Sequence, residues 1–286
     1  MALARSTSEQ LGPLTAAAAV YSVSGAIALV RLLHSRERRQ QISQIPLKHL
    51  IGCGIPFLSY MIALFLAIGL ATSHQQVLEV GLLNYLWPTL TILLSLVILK
   101  RRATLWLIPG TLLALLGIFL VLTQGAHVSW QSILGNLSAN PIAYSLGLVA
   151  AMSWAVYSNL TRRWAEDKRQ GMVDLFLPIT AVTLIVIALF THSEHAWSVR
   201  SLLEAGFLGT VTYIAYWSWD TSMRTGNFVL VTAASYLTPF FSTVVSSLYL
   251  QVAPTVNLWI GCGVLVLGSL ISWASIRSLQ DGAGSA

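Results

Sequence analysis

The chain has 286 residues, 56% of them hydrophobic and only 9% charged, with a net charge of +6 and a mean hydropathy of +0.73. A soluble domain carries about 25% charged residues, so this composition cannot clothe a water-facing surface and lipid must be the solvent for most of it. The basic residues fall in short clusters between apolar runs, a pattern that signals topology and excludes a nucleic-acid-binding face. Cys53 and Cys262 sit inside apolar stretches, which reads as small packing residues rather than a disulfide or a metal site.

About 20 apolar helical residues cross a bilayer core. Nine runs meet that demand in chain order: Leu14 to Leu33, Leu50 to Thr72, Val77 to Leu99, Leu105 to Thr123, Ile142 to Leu160, Val173 to Phe190, Leu202 to Trp219, Phe228 to Leu250 and Val256 to Ile276. Lipid offers an unpaired amide no partner, so helices are the only option. The expected class is an all-α, multi-pass membrane protein.

Alternate connections hold Arg36, Arg38, Arg39 and Lys48; Lys100, Arg101 and Arg102; Arg162, Arg163, Lys168 and Arg169; and Arg224. Arg31 and Arg277 fall on the same side, leaving only Arg5 and Arg200 opposite. Positive charge is retained in the cytoplasm, so that side, with the C-terminus, is expected to be cytoplasmic in a bacterial inner membrane.

The sequence also repeats itself. At a shift of 151 residues, eleven of the 38 positions from Val80 to Gly117 are identical without a gap, more than a Leu-rich composition gives by chance. Tyr85 matches Tyr236, Pro88 matches Pro239, Gly110 matches Gly261 and Gly117 matches Gly268. The connection Lys100 to Arg102 is strongly basic, whereas its counterpart, Gln251 to Thr255, carries no charge. That contrast predicts copies of opposite orientation, each with an odd number of spans. The second copy has five runs and the first only four. The sequence therefore predicts a 5+5 inverted repeat whose first helix is cut short at Met1, against the simpler alternative of a natural nine-span protein. The divisions follow: 1–123 the first repeat, 124–141 a periplasmic connection, 142–277 the second repeat and 278–286 a cytoplasmic tail.

Several stretches resemble a known family: His74-Gln75-Gln76, Glu79-Val80-Gly81, Asn84-Tyr85-Leu86-Trp87-Pro88, Tyr21-Ser22-Val23-Ser24-Gly25, Trp154-Ala155-Val156-Tyr157 and Trp219-Asp220. They are similar to the aromatic amino acid exporters of the YddG type, in the EamA-like ten-helix branch of the drug/metabolite transporter superfamily. The resemblance implies export of small aromatic molecules, with Trp87 and Trp154 matching cavity-lining tryptophans.

Inverted repeats suit alternating access, with substrate near the midplane. Pro88 and Pro239 lie near the middle of equivalent runs, where each removes a helical hydrogen bond and kinks its helix; a hinge and a static kink both remain open. Trp87 and Trp154 are mid-span, away from the headgroup level that Trp106, Trp130, Trp164, Trp197, Trp259 and Trp273 fit. Their indoles suit stacking on an aromatic substrate or a cation, with core packing as the alternative. Tyr60, Asn84, Tyr85, Tyr213, Tyr216, Trp217, Trp219, Ser235 and Tyr236 form a candidate second ring of apolar bodies with polar tips. Glu79, inside an apolar run, is a candidate for a substrate ammonium or a proton, or an interfacial carboxylate at a helix start. Asp174 and Asp220 read as solvated or locally paired groups at helix ends.

Rival functions are weakly supported. All six histidines lie in loops or at helix ends, without HExxH spacing, and no phosphate-binding glycine loop appears, so neither an enzyme nor a nucleotide-driven pump is expected. Efflux of drugs or organic cations, or an inactive truncated carrier, are the alternatives to aromatic amino acid export. No cofactor or metal is called for. The expected partners are a small aromatic substrate and the bilayer, with a monomer as the working oligomeric state.

Overall fold

A computed structural model describes residues 2–122, 130–165, 171–190, 197–238, 241, 244–245 and 256–277. Pro239, Lys168, Arg169, the connection Gln251 to Thr255 and the tail 278–286 lie outside the described residues.

The helices begin where the sequence supplies caps. Gly12, at φ 77°, separates α1 (Ala2–Leu11) from α2 (Pro13–His34), whose first position is proline. Ser35 accepts from the Arg38 amide and opens a short polar helix, α3 (Arg36–Ser43). It leads into α4 (Leu47–Leu70). Ser73 caps α5 (His74–Asn84), which is followed by α6 (Trp87–Ile98) and α7 (Leu107–Leu122). After α8 (Trp130–Ala139), Asn140 caps α9 (Pro141–Arg163), with proline again at the first position. α10 (Val173–Leu189) precedes α11 (Val199–Thr225), where Ser198 and Ser201 cap each other. Asn227 starts α12 (Phe228–Ala234), a 3-10 turn covers Ser235–Leu237, and α13 (Val256–Ser275) is the last described helix. These side-chain oxygens occupy the amides that every helix start leaves free.

By length and composition, four segments are apolar enough to cross a membrane: Pro13–His34, Leu47–Leu70, Glu79–Ile98 and Pro141–Arg163. The runs Leu107–Val121, Val173–Leu189, Phe228–Leu237 and Trp259–Ser275 form shorter apolar helices. The described helices thus meet the spanning criterion fewer times than the nine expected. The third run, although it meets the criterion over Glu79–Ile98, is not one continuous helix. It divides at Tyr85–Leu86 into α5 and α6, with Pro88 just inside the second piece. Proline has no N–H to offer and its ring crowds the carbonyl four residues back, at Asn84. The expected kink is therefore a break on the N-terminal side of Pro88. The equivalent segment behaves alike: regular helix ends at Ala234 and the 3-10 turn falls just before Pro239.

Small residues set the packing. Without a hydrophobic drive between helices in lipid, close backbone approach supplies the contact energy. α2 meets α10 where Gly25 faces Ala181 and Leu177; α5 meets α9 where Gly147 faces Val80. The closest seam joins α7 to α13. A Cβ on Gly110 would lie 2.7 Å from the Ser272 nitrogen, on Gly268 2.2 Å from Ala114 N, on Gly117 2.5 Å from Leu265 N, and on Gly261 3.0 Å from Val121 N. Four glycines matched by the 151-residue shift thus line one antiparallel seam. Applying the shift to the contact 110/272 returns 261/121, and applying it to 114/268 returns 117/265. The seam is closed by the one departure from all-α structure among the described residues, a two-residue antiparallel bridge pairing Arg102 with Arg277 and Ala103 with Ile276.

Basic side chains collect at one end of the bundle. Arg38 reaches Asp174, Arg31 reaches Tyr213, and Arg162 donates to the carbonyls of Met223, Arg224 and Gly226 at the end of α11. At the other end Glu204 accepts from Ser6, Thr7 and Gln10, tying α1 to α11. Between the ends, large apolar side chains face outward, among them Val97 at 76% and Leu112 at 61% exposure, as a lipid-facing surface requires.

Candidate functional site

Three helices deliver aromatic side chains at helical spacing to one place. α9 carries Trp154 and Tyr157, α4 carries Phe57, Tyr60 and Met61, and α11 carries Tyr216 and Trp219. Positions three and four apart share a helix face. Trp87, the first residue after the break between α5 and α6, completes the ring together with Tyr21 of α2.

Trp154 is the centre. Its ring lies 4.7 Å from Tyr60, 5.2 Å from Tyr157, 5.5 Å from Tyr216, 5.9 Å from Trp219, 6.2 Å from Phe57 and 6.3 Å from Trp87, between centroids. Trp87 meets Trp219 edge-on at 5.1 Å. Offset and edge-to-face pairs of this kind each contribute about 0.5–1.5 kcal/mol beyond burial. Trp154 is 5% exposed and Trp87 8%.

The polar tips are mostly occupied. The Tyr21 and Tyr216 hydroxyls share a hydrogen bond at 2.9 Å, and both approach Met61 Sδ, at 2.7 and 3.3 Å. Trp219 Nε1 donates to Ser158 Oγ at 3.2 Å, and Tyr157 donates to Asp220 Oδ1 at 3.0 Å. Asn84, at the end of α5, lies beside the Tyr60 hydroxyl. Its amide oxygen is buried and has no hydrogen-bond partner among the described residues. A buried acceptor left open beside aromatic faces is costly unless a ligand or water uses it.

The residues expected from sequence divide into those gathered here and those placed elsewhere. Trp87, Trp154, Tyr60, Tyr216, Trp219 and Asn84 come together. Tyr85 and Tyr236 instead pack in a second core with Ile92, Leu107 and Leu265, where the Tyr236 and Thr89 hydroxyls bond at 2.8 Å. Ser235 turns to the carbonyl of Thr232 in its own helix. Tyr213 donates to Asp174 Oδ1 at 2.8 Å, and Trp217, 39% exposed, lies under the Arg31 guanidinium at 5.0 Å. Glu79 is buried away from the rings, accepting from the Tyr144 hydroxyl and, at 3.1 and 3.2 Å, from Asn136 of α8. Neither Asp174 nor Asp220 is solvated: Asp220 makes the expected local pair, with Arg224 one turn on, and Asp174 pairs with the distant Arg38. Sequence reasoning did not single out Phe57, Met61 or Phe176, and named Tyr21 and Tyr157 only within stretches carrying the family resemblance; all five are part of the same core. The spacing of Phe57 with Tyr60, and of Trp154 with Tyr157, was the available signal.

Comparison with known proteins gives a consistent picture. The profile of the EamA-like transporter family matches residues 1–123 and 141–274. The aromatic amino acid exporter YddG of Escherichia coli K12 is 33% identical over 277 residues, covering 96% of this chain and 92% of that protein. The protein of the same name in Salmonella typhimurium is 32% identical over the same span, and that in Ancylobacter novellus 28% identical over 275 residues. A solved crystal structure, 25% identical, superposes with a TM-score of 0.77 over 95% of this chain and 91% of that one.

Proposed function

Because the chain belongs to the EamA-like transporter family, we propose that it exports aromatic amino acids, or similar small aromatic metabolites, across the bacterial inner membrane. The observation that carries the reading is the seven-membered ring set centred on Trp154, apolar in body, with the open Asn84 oxygen at its side. An aromatic substrate exchanging places with one of these rings keeps the stacking geometry. The Asn84 oxygen then accepts from its ammonium. That two relatives are aromatic amino acid exporters supports the same class of cargo.

The mechanism is alternating access between two inverted repeats, 1–123 and 142–277. The matched glycine contacts of the α7–α13 seam support that symmetry, since each contact maps onto another when the copies are exchanged. The helix breaks at Tyr85–Leu86 and Ser235–Leu237 are the points of bending. The arginine-rich end is cytoplasmic by the retention of positive charge.

The test is resistance to toxic aromatic analogues in a bacterium lacking its own aromatic exporters. Expression of the chain confers resistance, and Trp154→Ala removes it at equal protein abundance. Resistance to lipophilic cations alone would replace this reading with cation efflux.

A further inference from the structure

At the arginine-rich end, α3 is a helix of eight residues in which none is buried. Its two faces differ. Arg36, Arg39 and Gln40 are exposed, whereas Arg38, Gln41 and Ile42, three and four apart, are half-buried, as one inward face of a helix requires. Just beyond its end, Ile45 packs against the aromatic core. Ser35 and Pro46 flank it with extended backbone, so the helical path is interrupted on the way out of α2 and again on the way into α4.

Arg38 pairs with Asp174 at the start of α10. Asp174 also accepts from the Tyr213 hydroxyl at 2.8 Å. Tyr213 in turn accepts from Arg31 of α2, whose guanidinium lies 5.0 Å over the Trp217 ring. Arg38, Asp174, Trp217, Asp220 and Thr221 line one pocket of about 220 Å³. The pocket adjoins the rings: Asp220 accepts from the Tyr157 hydroxyl, and the Tyr157 ring lies 5.2 Å from Trp154.

We propose that α3 is a lid over the cytoplasmic mouth of the cargo site, latched by the Arg38–Asp174 ion pair and hinged at Ser35 and Pro46. The assignment rests on the exporter reading above and names the element that regulates entry to that site. Two features distinguish a lid from a fixed brace. Without a buried residue, α3 gives up little packing when it leaves, and moving segments are drawn from such weakly held elements. The latch also opens without stranding a buried charge, the event that makes a broken ion pair costly. Asp174 keeps the Tyr213 hydroxyl, with Arg31 fixed behind it on Trp217, while Arg38 passes into water beside the exposed face of its own helix. Hinges at the ends of elements are where such motions are absorbed.

The experiment uses the full chain with Cys53 and Cys262 replaced by alanine and Thr221→Cys as a reporter in the pocket. The reagent is an uncharged maleimide, whose approach does not follow the local field. Adding Arg38→Gln should speed labelling about tenfold, the scale of one charge-assisted contact, while Arg38→Lys, which keeps the pair, should leave it slow. A second arm joins Arg38→Cys to Asp174→Cys, without the reporter, through a short reducible cross-linker. Cross-linking should stop exchange of labelled L-phenylalanine in proteoliposomes, and reductant should restore it. Equal labelling with and without Arg38→Gln overturns the lid, as does undiminished exchange by the cross-linked protein; the exporter reading survives both results. Failure of the unaltered chain to exchange any aromatic amino acid defeats the exporter reading, and a lid over its cargo site with it.

Discussion

Trp154 touches six other rings, and its loss has two separable consequences. Trp154→Ala removes a large buried side chain, a change that costs about 3–5 kcal/mol in a closed core, and should lower the thermal midpoint of the purified protein. Trp154→Phe keeps a ring in place and should retain most of both stability and export. Asn84→Leu tests the open amide oxygen: export should fall while abundance in the membrane holds, because that oxygen makes no hydrogen bond within the described residues. The sequence made Trp87 and Trp154 legible, since a mid-span indole is unusual enough to need a reason. It made Trp217 misleading. Adjacent positions on a helix point about 100° apart, so Tyr216, Trp217 and Trp219 cannot all face one place, and Trp217 turns to Arg31. Phe57 was unreadable for the opposite reason: a phenyl ring in an apolar run carries no mark of which face it is on.

Helix pairs carry the next level of the account. Gly268→Ala should destabilise the protein, because its Cβ would fall 2.2 Å from the Ala114 backbone and α7 and α13 would have to separate. Gly263→Ala, where nothing lies within 4 Å, should leave the protein as stable or raise its stability by about 0.5–1 kcal/mol. Thermal unfolding of the two variants in one detergent checks the pair. The glycines of this seam were visible beforehand as matched positions of the repeat, although what they touch was not. The broken third run was half legible. Pro88 announced a disturbance, but hydropathy is blind to where a helix stops, and the disruption falls on Tyr85–Leu86. The Asp220–Arg224 pair, one turn apart, is the local pairing the sequence suggested, whereas the pair of Asp174 with Arg38 escaped the sequence reading. Asp174 and Arg38 are 136 residues apart, and no local pattern joins them.

For the molecule as a whole, the proposed inverted arrangement predicts opposite exposure of equivalent connections. In a chain with Cys53 and Cys262 replaced by alanine, a cysteine at Lys100 should react with impermeant reagents only from the cytoplasm. A cysteine at Gln251 should react only from outside. Reaction of both from one face would remove the symmetry on which alternating access depends. Helical class, apolar composition and charge bias were readable from the sequence because they are properties of long stretches, averaged over many residues. Which helices meet, and which ring sits at the centre, depend on single faces and had to come from the fold.

The central claim is that cargo binds at the Trp154 ring set. Equilibrium binding of labelled L-phenylalanine to purified protein tests it most directly, comparing the unaltered chain with Trp154→Ala and with Trp197→Ala, an indole 54% exposed and far from the cluster in sequence. The account predicts saturable binding to the unaltered chain and to Trp197→Ala, and none to folded Trp154→Ala. Undiminished affinity in Trp154→Ala would contradict it.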